Sequence, residues 1–249
     1  MTLKYFSLKI IFSCFIFSFY GNLSGQESLK KNLIDGSKQS IQERLNAGEN
    51  PYDLAKEGIA LKDLYGNVYL NGYLFFIDEK DQYKGIKGMV CSMEDLELID
   101  STQNPYWGCY GHDLIHLANV KFSESEYKNK QRNNDSMVND LESGARIGDG
   151  LKNTNSILKE CKEVMSAARI CVDQGEGWHL PSRGEIFQIY NNLTRNNLAN
   201  FSPNYYWSST EYDSKFAWIQ NFKISSKNDI QDGRNKNDDA VRLRAVKSF

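Results

Sequence analysis

The sequence predicts an α+β domain carrying a short helical extension at its N-terminal side, and three observations support this. An aromatic and β-branched run, Tyr73-Leu74-Phe75-Phe76-Ile77, has the composition of a buried strand and stops at Asp78-Glu79. In the middle of the chain Ile157, Cys161, Val164, Met165, Ala168 and Cys171 recur with helical period and form one apolar stripe. The tail then returns to strand-like segments, so strands, helices and strands follow one another as blocks rather than alternating βαβ units.

Residues 1–25 read as a secretory signal. Lys4 and Lys9 lead into the apolar run Ile10, Ile11, Phe12, Ser13, Cys14, Phe15, Ile16, Phe17, Ser18, Phe19, Tyr20, and small residues follow up to Gly25. The run is about half of the roughly 20 apolar residues that span a bilayer. Gln26 stands where a lipoprotein needs cysteine. The expectation is an exported protein, secreted, periplasmic or at the cell surface, with no membrane span after signal removal. Cleavage takes away two lysines and no acid, moving the formal charge from −2 to −4. That mild charge gives no support for a nucleic-acid partner, which needs a dense basic face. At 12% aromatic with fourteen tyrosines, the composition is that of a folded chain.

Residues 26–63 read as the helical extension. Ile41 and Leu45 lie four apart with Gly48 as a stop, and Asn50-Pro51 is an N-cap with proline at the first helical position, closed by Gly58. Two such helices bury little alone, so they either pack on the main domain or dock a partner. The main domain spans 64–249. Tyr65-Gly66-Asn67 is a turn, and Gly88-Met89-Val90-Cys91 is a neighbour strand for the aromatic run. Residues 117–142 are Ser, Glu, Lys, Asn and Arg with almost no apolar period, a polar loop insertion. The stretch 155–171 reads as one core-facing helix. Ser182-Arg183-Gly184-Glu185 fits a capping box, and Ile186, Ile189, Tyr190 and Leu193 follow at helical spacing. Three strands close the chain, at Tyr205-Tyr206-Trp207-Ser208-Ser209, Ala217-Trp218-Ile219-Gln220-Asn221-Phe222 and Val241-Arg242-Leu243-Arg244-Ala245-Val246. In the last, Val241, Leu243 and Ala245 alternate with Arg242 and Arg244.

Beyond the signal there are four cysteines, Cys91, Cys109, Cys161 and Cys171, an even number that argues for disulfides in an exported protein. On one continuous helix Cys161 and Cys171 would be about 15 Å apart, beyond the ~7 Å reach of a bridge. Each is therefore expected to pair with Cys91 or Cys109, or to stay free.

Several motifs occur in a fixed order: Gly72-Tyr73-Leu74-Phe75-Phe76-Ile77-Asp78, Trp107-Gly108-Cys109-Tyr110-Gly111, Ile147-Gly148-Asp149-Gly150 with Asn153-Thr154, Gly177-Trp178-His179-Leu180-Pro181-Ser182 with Glu185, Tyr206-Trp207-Ser208-Ser209-Thr210-Glu211-Tyr212, Ala217-Trp218, and the closing Val241-Arg242-Leu243-Arg244-Ala245-Val246. In this order they resemble the Lcl C-terminal domain family and the related Fibrobacter succinogenes major paralogous domain, over about 64–249. The resemblance implies a C-type-lectin-like fold, two helices against a small loop-rich antiparallel sheet with the chain ends brought together. The Glu-Pro-Asn and Trp-Asn-Asp motifs of calcium-dependent sugar-binding lectins are absent.

For binding, Trp107, Trp207 and Trp218 with Ser208, Ser209, Glu211 and Asn221 form the candidate set. Aromatic faces cover the CH side of a sugar or a flat peptide group, while hydroxyl, amide and carboxylate groups meet its polar edge. The competing reading is that these tryptophans fill the core, the ordinary fate of a large aromatic. Arg242 and Arg244 share a strand face suited to an acidic or sulfated ligand, against an exposed face paired with Glu211 or Asp213. Cys109, His112 and His116 have C-x2-H-x3-H spacing but lack a fourth ligand, and the acidic segment from Asp229 to Asp239 lacks the order of a calcium loop, so no metal is assigned. There is no G-x-S-x-G, H-E-x-x-H or phosphate-cradling glycine loop, hence no catalytic residues and no cofactor. The expected function is a non-enzymatic, secreted ligand-binding module for an extracellular glycan or surface polymer, in adhesion. The alternative is a non-catalytic structural or interaction subunit of a cell-envelope assembly with an envelope protein as partner.

Overall fold

The computed structural model describes residues 39–97, 105–114, 117–120, 143–224 and 231–249. The expected signal and most of the polar insertion lie outside the described residues. The described part belongs to one compact unit. It opens with helices α1 (Ile41–Asn46), α2 (Pro51–Lys56) and α3 (Leu61–Leu64). Ser40 and Glu43 close a reciprocal capping box on α1, and the Asn50 side chain accepts from the Tyr52 N–H at the start of α2. Helices this short do not stand alone in water. They persist because Ile41, Leu45, Leu54, Ala55 and Leu64 are buried in the same core as Leu74, Val90 and Leu243. The extension thus packs on the domain.

Among the described residues seven strands follow the sequence expectation with additions: β1 (Val68–Tyr69), β2 (Gly72–Ile77), β3 (Gly88–Ser92), β4 (Tyr205–Glu211), β5 (Phe216–Asn221), β6 (Gln231–Asn235) and β7 (Val246–Ser248). They form two antiparallel sheets, one ordered β1-β2-β3-β7 and the other β4-β5-β6. The C-terminal strand pairs Val246 with Cys91, which brings the end of the chain back to β3. The architecture is therefore α+β, with short helices and two small sheets. Strand β6 was not expected; its pairing to β5, from Phe216 with Asn235 to Gln220 with Gln231, supplies the order that its composition does not.

Between β3 and β4 in the chain lie α4 (Gly150–Glu160), α5 (Ala167–Val172) and α6 (Arg183–Ile189), the last continued by a π-helical turn at Tyr190–Thr194. The single helix expected over 155–171 is broken. Cys161 leaves α4 in extended conformation (φ −85°, ψ 118°), and Ser166 caps a new helix by accepting from the Arg169 N–H. Val164 and Met165, assigned to the apolar stripe, consequently lie exposed on the connecting turn. The capping box at Ser182 and Glu185 is present, and Ile186, Ile189, Tyr190 and Leu193 are all buried as their spacing requires. The last expected strand is only partly a strand. Val241, Leu243 and Ala245 are buried on schedule, but regular pairing begins at Val246, and 241–245 touches β4 through one bridge, Tyr206 with Arg242. The start of the polar insertion is also ordered: Leu117 and Val120 are buried, and the Val120 N–H donates to the Glu211 carbonyl.

Candidate functional site

The ordered motifs converge on one buried polar junction. Glu185, at the third position of α6, accepts from the N–H groups of Gly148, Gly150 and Ser182, so one carboxylate ties the first turns of α4 and α6 together. His179 Nε2 lies 3.5 Å from that carboxylate, and its Nδ1 lies 3.0 Å from the Gly177 carbonyl. Because a carbonyl only accepts, Nδ1 carries the proton. Burial opposes a charged imidazole there, yet the hydrogen bond and charge of Glu185, with the Gly177 carbonyl, outweigh it and hold His179 above its usual range. Thr154 Oγ1 donates to the Gly150 carbonyl and accepts from the Leu180 N–H, and Asn153 Nδ2 donates to the Gly144 carbonyl and to Ser209 Oγ. These residues weld the loops to both helices.

The structure places the expected binding residues inside the domain rather than around a pocket. Trp107, Trp207 and Trp218 have no exposed surface, and each indole N–H donates to a backbone carbonyl, of Ser208, Pro105 and Val120 respectively. Arg183 lies flat over Trp218, its guanidinium carbon 3.7 Å from the ring centre. Ser208 donates to the Trp218 carbonyl, Ser209 accepts from Asn153, and Asn221 Oδ1 accepts from the Lys223 N–H. Glu211 is buried against Lys236, which also donates to the His112 carbonyl and lies over the Trp107 ring. Burial raises the Glu211 carboxyl to about 7 despite Lys236, which pulls the other way. The candidate set is corrected on this ground: these side chains use their polar atoms on the protein's own groups and are the core reading of the sequence.

Arg242 and Arg244 do share a face, but their partner is Asp95 rather than Glu211 or Asp213. Arg242 Nη1 lies 3.1 Å from one Asp95 oxygen and Arg244 Nε 2.7 Å from the other. Tyr206 Oη donates to the same carboxylate. Arg244 is buried, so of the two only Arg242 retains an exposed part.

The most useful concavity is elsewhere, a cleft of about 630 Å³ between the end of β2, the β2–β3 loop, α3 and α6. Tyr65, Phe76 and Tyr83 supply its aromatic surface, Asp78, Gln188, Asn192 and Arg146 its polar groups. Phe76 and Tyr83 meet edge to face at 5.6 Å. Asp78 accepts from the Tyr83 N–H at 2.7 Å, which fixes the loop against the strand. Asn192 Nδ2 donates to both the Phe75 carbonyl and Gln188 Oε1, which sets the two amides side by side. Burial pushes the Tyr65 hydroxyl up to about 12, so it stays a neutral donor and acceptor at any ordinary pH. Sequence reasoning passed over this cleft. Its only signal was the Asp78 that closes the β2 motif.

Among the described residues there is one disulfide, Cys109–Cys161, with Cα atoms 5.5 Å apart. Cys91 and Cys171, expected as possible partners, are buried free thiols; burial pushes Cys91 up to about 12 and Cys171 well above its usual range. A structural disulfide belongs to an oxidising compartment. Among the described residues no helix is long and apolar enough to cross a membrane.

No family model matches the chain, and no curated protein matches it. Among solved structures, the chain is similar to a fimbrial protein from Bacteroides ovatus ATCC 8483, with 13% identity and a TM-score of 0.41 over 72% of this chain and 44% of that chain. The chain thus spans less than half the length of that structure, and a likeness this distant transfers neither activity nor partner.

Proposed function

We propose that the chain is an exported, non-enzymatic ligand-binding module of C-type-lectin-like type, related to the Lcl C-terminal domains, and that it takes an extracellular glycan or surface polymer in adhesion. The reading rests on the cleft between β2 and α6, which joins aromatic walls to paired amides and a carboxylate on rigid elements. Such a surface suits a sugar: Tyr83 covers a CH face, while Gln188, Asn192 and Arg146 meet hydroxyl groups. Binding is favoured over catalysis because His179 and Glu185 are enclosed and committed to each other and to backbone groups. The Cys109–Cys161 disulfide supports export, with a secreted, periplasmic or cell-surface address.

The test is a glycan array probed with the protein, with and without EDTA, repeated with Gln188→Ala and Tyr83→Ala. Binding that survives EDTA and falls at least tenfold in both variants supports the reading. Binding that is unaffected by either substitution, or no binding to any glycan or surface polymer, rejects it.

A further inference from the structure

Cys109, one half of the Cys109–Cys161 disulfide, lines a second cavity of about 600 Å³ together with His112, Asp113, Glu160, Lys162 and Glu163. Glu163 turns its carboxylate onto the bridge, and one ligand atom from each of Cys109, Cys161 and Glu163 falls within 4.8 Å of the others. One Glu163 oxygen accepts from the Cys109 N–H at 2.9 Å. The surroundings hold both chain segments in place without the covalent bond. The Trp107 N–H donates to the Lys236 carbonyl, the Ala167 N–H to the Tyr106 carbonyl, and the Gly111 N–H to the Ser214 carbonyl. Gly108, at φ +99°, brings the backbone against Cys161 and Glu163, where a Cβ would meet Cys161 Sγ at 3.1 Å.

We propose that opening the Cys109–Cys161 disulfide converts this corner into a zinc site, with the two thiolates and the Glu163 carboxylate as ligands and water in the fourth position. Two cysteine sulfurs and a carboxylate are donors that Zn²⁺ accepts, with water completing a tetrahedral geometry. Around one zinc the sulfurs stand about 3.7 Å apart at Zn–S bonds near 2.3 Å, a separation that side-chain rotation supplies from Cα atoms 5.5 Å apart. The chemistry balances with a dithiol as reductant. Its two thiol hydrogens and two electrons pass to the protein sulfurs, the S–S bond breaks, and the dithiol closes to its own disulfide. Zn²⁺ then displaces one proton from each cysteine thiol. The oxidised protein is metal-free at this corner and the reduced protein is metal-bound. This site is separate from the β2–α6 cleft and does not depend on a glycan ligand.

The experiment reduces the full protein with a phosphine, removes the excess without air, and titrates Co²⁺ alone. The expected result is a near-ultraviolet thiolate-to-cobalt band that saturates at about one equivalent and disappears when Zn²⁺ is added. The oxidised protein gives no band. Glu163→Gln, which keeps both cysteines, weakens Co²⁺ binding on the order of tenfold or more. Cys109→Ser combined with Cys161→Ser abolishes the band while near-ultraviolet circular dichroism reports the folded core. The proposal is overturned if the reduced protein, with its thiols shown to be free, produces no band. It is equally overturned if the band survives the double serine variant or is unchanged by Glu163→Gln.

Discussion

A methyl group at Gly150 would stand 2.1 Å from a Glu185 carboxylate oxygen, with His179 and the Ser182 N–H each only 2.9 Å away. Glycine at 150 is thus what lets one acid serve both helix starts. Gly150→Ala is expected to destabilise by roughly 1–3 kcal/mol, the usual cost of overpacking. Glu185→Gln replaces an acceptor by an amide that turns a donor toward backbone donors, and is expected to cost about as much. Urea unfolding that shows a lower midpoint at unchanged slope checks both.

Trp218 and Arg242 separate core from surface. Trp218 is enclosed by Arg183 and Tyr212, with its N–H on Val120, so Trp218→Ala is expected to lose about 3–5 kcal/mol and to melt many degrees lower. Arg242 is partly exposed, and Arg244 still neutralises Asp95 without it, so Arg242→Ala should cost less than about 1 kcal/mol. Thermal melts of the two variants beside the parent decide it; equal melting temperatures would contradict this packing.

The pH dependence has a definite sign. Glu211 is raised from 4.5 to about 7 and His179 is raised above 6.5, so between these values the folded chain holds more protons than the unfolded one. Stability therefore falls as pH climbs from about 5 through 7 and beyond, as each folded-state pKa is passed. Below about 4.5 the trend reverses, because Glu49 and Asp81 sit below their usual range, held there first by hydrogen bonds from Arg44 and Tyr52. Melting temperature should peak in mildly acidic buffer. In Glu211→Gln the slope below pH 7 should flatten while the His179 part remains. A melting temperature that rises steadily from pH 5 to 8 would refute the assignment.

Thiol chemistry should divide the cysteines two and two. Peptide mapping without reductant is expected to recover Cys109 linked to Cys161 and to find Cys91 and Cys171 as free thiols. Those two resist alkylation until the chain is denatured, being buried and unionised. Reducing a bridge that closes 52 residues should cost on the order of 2–4 kcal/mol.

Several features were legible in the sequence because they are set by neighbours along the chain. The capping box at Ser182 and Glu185, the Asn50-Pro51 helix start, and the alternation of Val241, Leu243 and Ala245 each rest on contacts within a few residues or on a simple period. The α+β order follows from those local signals. Other features depend on partners far away in sequence. Helix propensity favours a continuous helix through Cys161, but a bond to Cys109 and an extended backbone at Cys161 end it there. Composition marks Trp107, Trp207 and Trp218 as large aromatics without saying on which side of a sheet they fall. Carbonyls about a hundred positions away take their N–H groups and close them in. Asp95 joins Arg242 and Arg244 across 147 and 149 residues, and the β2–α6 cleft exists only where strand, loop and helix meet. Local hydrogen bonding and periodicity thus determined the elements of this protein, while burial and long-range pairing decided which polar groups are spent inside it and which are left facing a ligand.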